Sequence, residues 1–534
     1  MDIQAIAVQI SKLRFFISLV VEQKINTQTD NLGIRPLPNL ETKFVAANTL
    51  IGIERPGQQL LRNLDIDAKE AELRKVRKEH FLARTPAKKR KCREQDARLR
   101  AEIAELLKAD GWDTATARKL ASWDPYDQNA SATFFDPEWM FGISGGFDAI
   151  VGNPPYIDSE GMVNFGLQDL RDYIQSTYTM ARGNWDIYIA FYEIGFRLTR
   201  INGALSFITP DKWISKPFGD ELRKQTIEFI CSVLRAGRSV FESVNVDAII
   251  CLLTKRRQQA INIFDTVSGE IVFKRRVSKG TLKAPFALDA LFSMHYDLLL
   301  KLESKNPQLA DYGACENACA TSDAYKLKPI VLEAQHTSKS SGQLKVINTG
   351  TIGKYVSKWG QREMTYLGGK YLRPVVDKKA FQSLFPNSYG KKALVPKLIV
   401  KGLNLLDACE DLVGEVIPGK TTLMVTSRSQ ILLKALLAII NSRLAFFYLK
   451  EKYPASSYNE GTTFTKEMIN RLPVPKWSDA ERGTLVKLVD SILDAKSASS
   501  TAETKELERE IDLRVYSLYG LTQDEIRIVE GRSA

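Results

Sequence analysis

The stretch 147–156 constrains the fold of this chain more than any other. It begins with Phe147–Val151, a short apolar run that is typical of a strand buried on both faces of a sheet, and Gly152 permits a sharp turn after it. The prolines Pro154 and Pro155 then fix two φ angles and lack backbone N–H groups, which predicts outward-pointing carbonyls without local partners. Open α/β sheets bind ligands at the carboxyl ends of their strands. We therefore predict a functional site at this strand end.

The residues after the strand suit the chemistry of an exocyclic amine on a nucleobase. Such an amine is a poor nucleophile because its lone pair is delocalised into the ring. The side-chain oxygen of Asn153 and the carbonyl of Pro154 are two acceptors for its two N–H groups, and Tyr156 supplies a ring that stacks on the base. The alternative is a rigid loop without a catalytic role. The apolar strand before the loop and the aromatic residue after it favour the site.

Asn153, Pro154, Pro155 and Tyr156 resemble the Asn-Pro-Pro-Tyr motif of the N6-adenine DNA methyltransferases. These four residues are then the catalytic ones. The resemblance implies a Rossmann-like α/β sheet, S-adenosyl-L-methionine as cofactor and double-stranded DNA as partner.

Further roles follow from the same resemblance. Asp2 matches the acidic residue that accepts hydrogen bonds from the cofactor's ribose hydroxyls, although it also suits the cap of a helix. Asn48 matches a residue that contacts the cofactor's adenine, and Asn153 also borders the cofactor. Phe241 matches the aromatic residue that packs on the flipped adenine opposite Tyr156, and its alternative is an ordinary core position.

Composition favours a multidomain protein with a polyanionic partner. A chain of 534 residues exceeds one ordinary core, and 75 Lys and Arg against 63 Asp and Glu give a net charge of +12. We find no window of about 18 uninterrupted apolar residues and no signal peptide, which indicates no membrane span. The six scattered cysteines fit a reduced cytoplasm, and Cys315 and Cys319 lack the further ligands of a zinc site, so no metal is expected.

Hydrophobic periodicity predicts an alternating α/β pattern around the motif. We predict a helix over residues 4–22, with Ile6, Ile10, Leu13 and Ile17 on one apolar stripe, and a buried strand over 43–50. After the motif we predict a doubly wound, mostly parallel sheet. Its elements are a helix at 186–200, a strand at 204–210, a helix at 219–229 and strands at 230–234 and 246–253.

We predict four regions along the chain. Residues 1–258 form the methyltransferase domain, with a helical insertion at about 58–140 that is broken at Pro86 and the basic run 88–91. Residues 259–330 form a connector. An α+β target-recognition domain follows at 331–478, because one helix at 431–450 and the segment 453–475 resemble the TaqI-like specificity domain of type IIG restriction-modification enzymes. A packed helical tail occupies 479–534.

Four lysines are candidates for contact with the DNA backbone: Lys391, Lys392, Lys397 and Lys401. They lie beside a β-run, where they are placed to contact phosphates along one edge. The alternative is a solvated strand edge that lysine keeps soluble. In either case we expect DNA binding to reside in residues 260–478 and to weaken with salt.

The catalytic motif comes first and the recognition domain last, which is the order of the gamma class of methyltransferases. The family also carries a Gly-rich cofactor loop upstream of the position that Asp2 matches, and this loop has no counterpart here. The first strand of the family's sheet is therefore also expected to be missing, which would leave an apolar slot beside residues 147–151. We predict that the chain is the C-terminal part of a longer enzyme, a split-gene product whose N-terminal partner supplies the missing strands, or a truncated gene product. Alone, it is expected to bind the cofactor weakly or not at all. The alternatives are a DNA-recognition subunit without activity of its own and an enzyme that methylates RNA or protein.

Overall fold

The computed structural model describes residues 2–34, 36–55, 63–237, 240, 246–284, 286–335, 342–454, 457–458, 461–499 and 501–531. The chain divides into two compact units, Met1–Phe286 and Ala287–Ala534. This division differs from the predicted boundaries, because residues 260–278, which we predicted as belonging to a connector, form two strands of the first unit's sheet.

The first unit combines helices with one six-stranded sheet. Its helices are α1 (Ala5–Val21), α2 (Leu64–Leu82), α3 (Pro86–Ala109), α4 (Thr114–Ser122), α5 (Pro137–Phe141), α6 (Ser159–Asn164), α7 (Gln168–Thr177), α8 (Tyr188–Leu198) and α9 (Asp220–Thr226). Its strands are β1 (Phe147–Gly152), β2 (Thr199–Pro210), β3 (Ile230–Gly237), β4 (Ala248–Thr254), β5 (Ala260–Val267) and β6 (Glu270–Ser278). The α/β class and the elements predicted after the motif are confirmed.

The sheet has the order β1-β2-β4-β3-β5-β6. β1 pairs with β2 and β3 with β5 in parallel, whereas β4 is antiparallel to both of its neighbours and β6 is antiparallel to β5. Four strands thus share one direction, and the expected mostly parallel sheet is a mixed one. The carboxyl ends of β1, β2 and β3 lie at the same edge as the start of β4, since Pro210 and Gly237 both pair with Ala248.

β1 is an edge strand, which corrects the prediction that it is buried on both faces. Among the described residues it pairs with β2 alone. Val151 is 83% exposed, and Asp148 and Ala149 are exposed as well. The apolar run is therefore present as predicted, but within the described part of the chain no strand pairs with the other side of β1. The missing strand that we expected beside residues 147–151 stays a prediction.

The predicted strand at 43–50 is wrong. Ala46 forms a single bridge with Asp2 and Ala47 another with Ala132, and the chain turns at Asn48, whose carbonyl accepts a hydrogen bond from the N–H of Ile51. An apolar run becomes a strand only where a neighbouring strand pairs with its backbone over several residues. Here the two described neighbours, Asp2 and Ala132, each form an isolated bridge at one residue only.

The predicted first helix is confirmed as α1, but its apolar stripe faces outward. Ile6, Ile10, Leu13 and Ile17 are between 47% and 64% exposed, whereas Val8 is buried. The opposite side of α1 contacts Gln128 through hydrogen bonds. The Lys12 ammonium donates to the side-chain oxygen of Gln128 at 2.6 Å.

The helical insertion is confirmed by α2 to α5, and a buried carboxylate holds it together. Asp96 of α3 is fully buried and accepts hydrogen bonds from the Nε atoms of Arg77 and Arg100, at 2.8 and 2.7 Å. Arg77 also donates to the carbonyl of Trp139, and Arg100 donates to those of residues 121 and 123. Pro86 begins α3 as expected, but the basic run 88–91 lies within that helix and not in a turn.

The second unit is α+β, as predicted. Its helices are α10 (Tyr296–Lys305), α11 (Thr321–Leu327), α12 (Lys378–Leu384), α13 (Ser388–Ala393), α14 (Gln430–Asn441), α15 (Arg443–Lys452), α16 (Lys466–Asn470), α17 (Asp479–Ala498), α18 (Lys505–Leu518) and α19 (Gln523–Val529). Its strands are β7 (Gly313–Asn317), β8 (Leu332–Glu333), β9 (Gln343–Ile347), β10 (Met364–Tyr366), β11 (Gly369–Tyr371), β12 (Pro374–Asp377), β13 (Lys397–Lys401), β14 (Ala408–Asp411), β15 (Val416–Pro418), β16 (Thr422–Ser427), β17 (Ser457–Tyr458) and β18 (Gly461–Thr462).

Two four-stranded sheets, ordered β15-β9-β12-β8 and β14-β13-β16-β7, form most of the β structure of the second unit. The predicted single helix at 431–450 is two helices, α14 and α15, because Ser442 ends the first and its Oγ caps the second by accepting from the N–H of Ala445. α14 packs against α17, and α15 and α17 pack against α18, in one apolar core, so the helical tail is packed as predicted. Among the described residues no single helix is long and apolar enough to cross a membrane, and α14 with α15 meet that criterion only as a pair bent by 63°.

Replacing Asp96 with asparagine should destabilise the first unit by about 3–5 kcal/mol, because two buried guanidinium groups would lose their shared countercharge. The measurement is urea unfolding of the Asp96→Asn variant followed by circular dichroism. Glu94→Gln is the matched control, since Glu94 is exposed on the same helix and should change stability by less than about 0.5 kcal/mol. Equal midpoints for both variants would contradict the role of Asp96.

Candidate functional site

The loop 153–156 leaves β1 at the sheet edge where the parallel strands end. Gly152 is the last residue of β1 and pairs with Phe207 of β2. A Cβ atom at position 152 would lie 3.0 Å from the ring of Phe207, whereas the φ of Gly152 is outside the left-handed region. Glycine is therefore needed here for close packing on Phe207, and not for the sharp turn that we expected.

Within this loop Tyr156 holds the side chain of Asn153. The Tyr156 hydroxyl donates a hydrogen bond of 2.7 Å to Oδ1 of Asn153 and lies 3.4 Å from the carbonyl oxygen of Ile208 in β2. An amide oxygen has two lone pairs, so Oδ1 retains one for a second donor. Among the described residues no backbone N–H donates to the carbonyl oxygens of Asn153 or Pro154. Pro154 is buried, whereas Asn153 and Pro155 are exposed.

Aromatic side chains form the inner wall of the site. Residues 157–159 pair with residues 185–187 through hydrogen bonds from the N–H of Ile187 to the carbonyl of Ile157 and from the N–H of Ser159 to the carbonyl of Trp185, each 2.9 Å long. This pairing brings the ring of Tyr188 edge-on to that of Tyr156, with centroids 6.4 Å apart. Burial raises the pKa of Tyr156, so its hydroxyl stays protonated and remains a donor at neutral pH.

Behind this wall lies a second group of buried polar and aromatic side chains. Thr209, fully buried at the end of β2, accepts a hydrogen bond of 3.0 Å from Nε1 of Trp213. The ring of Tyr192 lies 5.3 Å from both Trp213 and Phe207. The site thus has a rigid apolar floor and a polar rim.

The rim carries two carboxyl groups with raised pKa values. Burial, followed by the nearby Asp247, raises the pKa of Asp211 to about 6, although Arg235, Lys212 and Lys216 partly oppose the shift. The backbone N–H of Asp211 donates to the carbonyl of Asp247 across the strand ends. Burial also raises the pKa of Asp186, which faces Tyr188, Lys212 and Asp158. Perturbed carboxyl groups of this kind cluster at functional sites.

Tyr188, Asp211 and the carbonyl of Ile208 were not among the predicted site residues. A signal for Asp211 was present, because Thr209-Pro210-Asp211 ends the strand next to β1, and adjacent parallel strands end at the same edge of a sheet. Tyr188 carried no such signal, since its position depends on the pairing of residues 157–159 with 185–187.

The two predicted cofactor residues Asp2 and Asn48 lie close together in the structure. Ala47, the residue before Asn48, donates its N–H to the carbonyl of Asp2. Oδ1 of Asp2 accepts a hydrogen bond of 2.8 Å from the N–H of Gln4, while its exposed carboxylate retains acceptor capacity. The N-cap of α1 is Gln4, so the alternative role of Asp2 as the helix cap is wrong. Leu50, two residues after Asn48, accepts a hydrogen bond from the Tyr178 hydroxyl. Phe241, the predicted stacking partner, lies outside the described residues.

The four predicted DNA-binding lysines do not form one open row. Lys397 is fully buried, and its ammonium donates to the carbonyl of Ala393 at 2.7 Å and pairs with Asp411. A phosphate contact from Lys397 is therefore excluded by its burial, which corrects that prediction. Lys392 pairs with Glu316, and Lys401 pairs with Asp407 at 2.5 Å. Lys391 is exposed, and β13 is an inner strand of its sheet, so the alternative of a solvated strand edge is also wrong.

Comparison with known families gives a match over the N-terminal portion of the chain. The model of the Eco57I restriction-modification methylase family matches residues 1–232, which include α1, the insertion, β1 and the loop 153–156.

Two relatives illustrate the similarity of sequence. The chain is 33% identical over 128 residues to the type II methyltransferase M.PaeR7I of Pseudomonas aeruginosa, which covers 24% of this chain and 20% of the relative. It is 26% identical over 178 residues to the type II restriction enzyme and methyltransferase RM.Eco57I of Escherichia coli, covering 31% of this chain and 17% of the relative. The matched segment is thus less than a quarter of either relative's length.

Among solved structures, the type IIL restriction-modification enzyme MmeI in complex with DNA is similar with a TM-score of 0.43 and 11% identity, covering 82% of this chain and 62% of that one. The type IIG restriction endonuclease BpuSI is similar with a TM-score of 0.28 and 12% identity, covering 87% and 67%.

Replacing Asp211 with asparagine should stabilise the protein at neutral pH but not in acid. A carboxyl group whose pKa is raised from 3.8 to about 6 by folding favours the folded state fully only below pH 4, and this contribution is lost as the pH rises to 6. Asparagine mimics the neutral form, so Asp211→Asn should gain about 1–3 kcal/mol at pH 7.5 and nothing at pH 4.

The check is urea unfolding of the wild type and Asp211→Asn at both pH values, with Asp30→Asn at an exposed position as the control. A gain for Asp211→Asn that is the same at pH 4 and pH 7.5 would contradict the raised pKa.

Proposed function

We propose, from the premise that residues 1–232 belong to the Eco57I restriction-modification methylase family, that this chain carries the catalytic loop of a site-specific DNA methyltransferase. The substrate atom is N6 of an adenine in duplex DNA, and the system is one of restriction and modification. The observation that carries the proposal is the loop 153–156, whose acceptors and ring stand together at the carboxyl end of β1.

The loop suits capture of an exocyclic amine. Oδ1 of Asn153 and the carbonyl of Pro154 accept the two N–H groups of N6, which favours a pyramidal nitrogen with an available lone pair. The Tyr156 hydroxyl fixes the orientation of the Asn153 amide, because it donates to Oδ1 and leaves the second lone pair for the substrate. The rings of Tyr156 and the proposed Phe241 then cover the two faces of a flipped adenine and offset its lost stacking. Pro155 keeps the loop rigid.

S-Adenosyl-L-methionine is the proposed cofactor, and Asp2 and Asn48 carry polar groups that suit it. Asp2 offers an exposed carboxylate for two ribose hydroxyls, and the half-buried Asn48 offers an amide for an adenine ring. When bound, the cofactor supplies an electrophilic methyl group. Asn153 is proposed to border the cofactor as well as the substrate, on the resemblance of its motif to that of the N6-adenine DNA methyltransferases.

DNA recognition is assigned to the second unit. Residues 331–478 are proposed as the target-recognition domain, with 479–534 packed on it. The catalytic domain extends beyond the predicted boundary at residue 258, because β5 and β6 belong to its sheet, and only the part of 259–330 that follows β6 is proposed as a connector. The α+β architecture supports this assignment, as does the resemblance of 453–475 to the TaqI-like specificity domain of type IIG enzymes.

A further polypeptide segment is proposed to complete the sheet. β1 presents an unpaired edge among the described residues, and the apolar stripe of α1 is exposed in the same unit. Unpaired backbone groups at an edge and exposed apolar side chains are both satisfied by an added strand and its covering layer. Without that segment, the alternative function of a recognition subunit with no activity of its own is favoured.

Asn153→Ala should reduce methyl transfer by at least about 100-fold, because it removes an acceptor that acts on the reacting amine. Tyr156→Phe keeps the ring and removes only the hydroxyl that orients Asn153, so it should lose about 2- to 10-fold, the value of one hydrogen bond. The protein is isolated from cells that carry its native locus, so that any partner is retained.

Transfer of tritiated methyl groups to unmethylated plasmid DNA gives the rates, and mass spectrometry identifies the methylated base. Normal transfer by Asn153→Ala, or a product other than N6-methyladenine, would end the proposal.

Val151→Lys should abolish methyl transfer while leaving the stability of the chain itself within about 0.5 kcal/mol, because Val151 is exposed here but would be buried by the layer that covers an added strand. Ile201→Lys is the matched control, since Ile201 is 75% exposed at the start of β2 and lies away from the open edge. Both variants are isolated and assayed in the same way as Asn153→Ala. Full activity of Val151→Lys would show that no added segment covers Val151.

A further inference from the structure

The net charge of the chain is concentrated in one segment of the second unit. Residues 342–401 contain 12 Lys and Arg but only 2 acidic residues, a net charge of +10, whereas the whole chain carries +12. The remaining residues are therefore nearly neutral in sum. Such a concentration of positive charge is the electrostatic feature of a polyanion-binding surface.

Some of this charge is neutralised within the fold. Lys392, Lys397 and Lys401 are each paired with a carboxylate, as described above. By contrast, no described carboxylate lies within ion-pair distance of Lys345, Lys358, Arg362 or Arg373. These four residues belong to β9 and to the loop with its hairpin at 353–373, which we call the basic loop surface.

The fold holds these cations around one tryptophan. The Lys345 ammonium lies 4.9 Å from the centre of the Trp359 ring, and Nε1 of Trp359 donates to the carbonyl of Pro374 at 2.7 Å. The side chain of Arg373 passes over Gly360, where a Cβ atom would lie 3.7 Å from its Cγ. The N–H of Arg362 donates to the carbonyl of Lys358, so these two residues share one turn.

The nearby acidic residues do not neutralise this surface. The carboxylate of Glu333 accepts hydrogen bonds from the backbone N–H groups of Leu372 and Arg373, at 2.9 and 2.8 Å, and thereby fixes the loop. Glu363 pairs with Lys370 across the hairpin β10–β11 at 3.4 Å, and both side chains are exposed. Like charges held together without countercharges repel one another, and an external polyanion relieves that repulsion.

We propose that the basic loop surface binds the phosphate backbone of duplex DNA. The inference rests on the proposed function and goes beyond it, because it moves the phosphate contacts from the lysine run at 391–401 to Lys345, Lys358, Arg362 and Arg373. Guanidinium groups match phosphate bidentately, and a rigid loop presents them without a large ordering cost. The contacts position the duplex and carry no sequence information of their own.

The test is duplex binding by the full purified chain, measured by fluorescence anisotropy between about 50 and 300 mM salt. The variant Lys358→Gln, Arg362→Gln, Arg373→Gln should bind about 10- to 100-fold more weakly at about 150 mM salt, and its slope of log affinity against log salt should be smaller by about 2–3. The matched control is Lys326→Gln, Lys378→Gln, Lys379→Gln. It removes the same charge from the same unit at exposed positions outside the surface and should change the slope by less than about 1.

The outcomes separate this inference from the proposed function. If both triple variants bind the duplex as tightly as the wild type does, the assignment of phosphate contacts to the basic loop surface is overturned, while DNA binding by the chain remains. Absence of duplex binding by the wild type contradicts the DNA-binding role in the proposed function itself. Tighter binding of single-stranded RNA of equal length, lost in the first variant only, overturns the assignment to duplex DNA while identifying the same surface with another polyanion.

Discussion

The parallel pairing of β1 with β2 is the interaction on which the candidate site depends. Its register sets Gly152 against Phe207, so that the next residue, Asn153, emerges beside the carbonyl of Ile208. The Tyr156 hydroxyl then reaches both groups, and the close contact of Gly152 with the Phe207 ring leaves no room for a side chain that would push the loop away. A shift of one residue would point Gly152 away from Phe207 and separate Asn153 from the strand end.

The same strand lies at an edge of the sheet. β1 is hydrogen-bonded on one side only within the described residues, and Val151 is exposed on it. The outward stripe of α1 belongs to the same pattern, because an amphipathic helix is stable when its apolar side is covered. The loop 153–156 is nevertheless supported from within the unit by the buried aromatic side chains of Tyr188, Tyr192 and Phe207, although no described strand pairs with the outer side of β1.

In the second unit, some lysines form ion pairs with carboxylates of the fold, whereas others have no such partner among the described residues and are available to a ligand. Lys397 is inseparable from Asp411, whose oxygens also accept from the backbone N–H groups of residues 414–416. The cations around Trp359 have no such partners among the described residues. Desolvation explains the difference, because a fully buried ammonium must be paired, whereas the half-buried Lys345, Lys358 and Arg373 and the exposed Arg362 still reach water, which a phosphate can replace.

The sequence by itself determined the local elements and the chemistry of the loop. Apolar periodicity is a property of neighbours in the chain, so it predicted α8, β2, α9, β3 and β4, and the order Asn-Pro-Pro-Tyr after an apolar run located the candidate site. Only the tertiary structure decided which strands pair. It left residues 43–50 without a strand partner, made β1 an edge and β4 antiparallel, brought Tyr188 and Asp211 to the site, and buried Lys397 against Asp411. These outcomes depend on contacts between residues distant in the chain, and a residue's own pattern carries no information about which distant backbone or carboxylate it will meet.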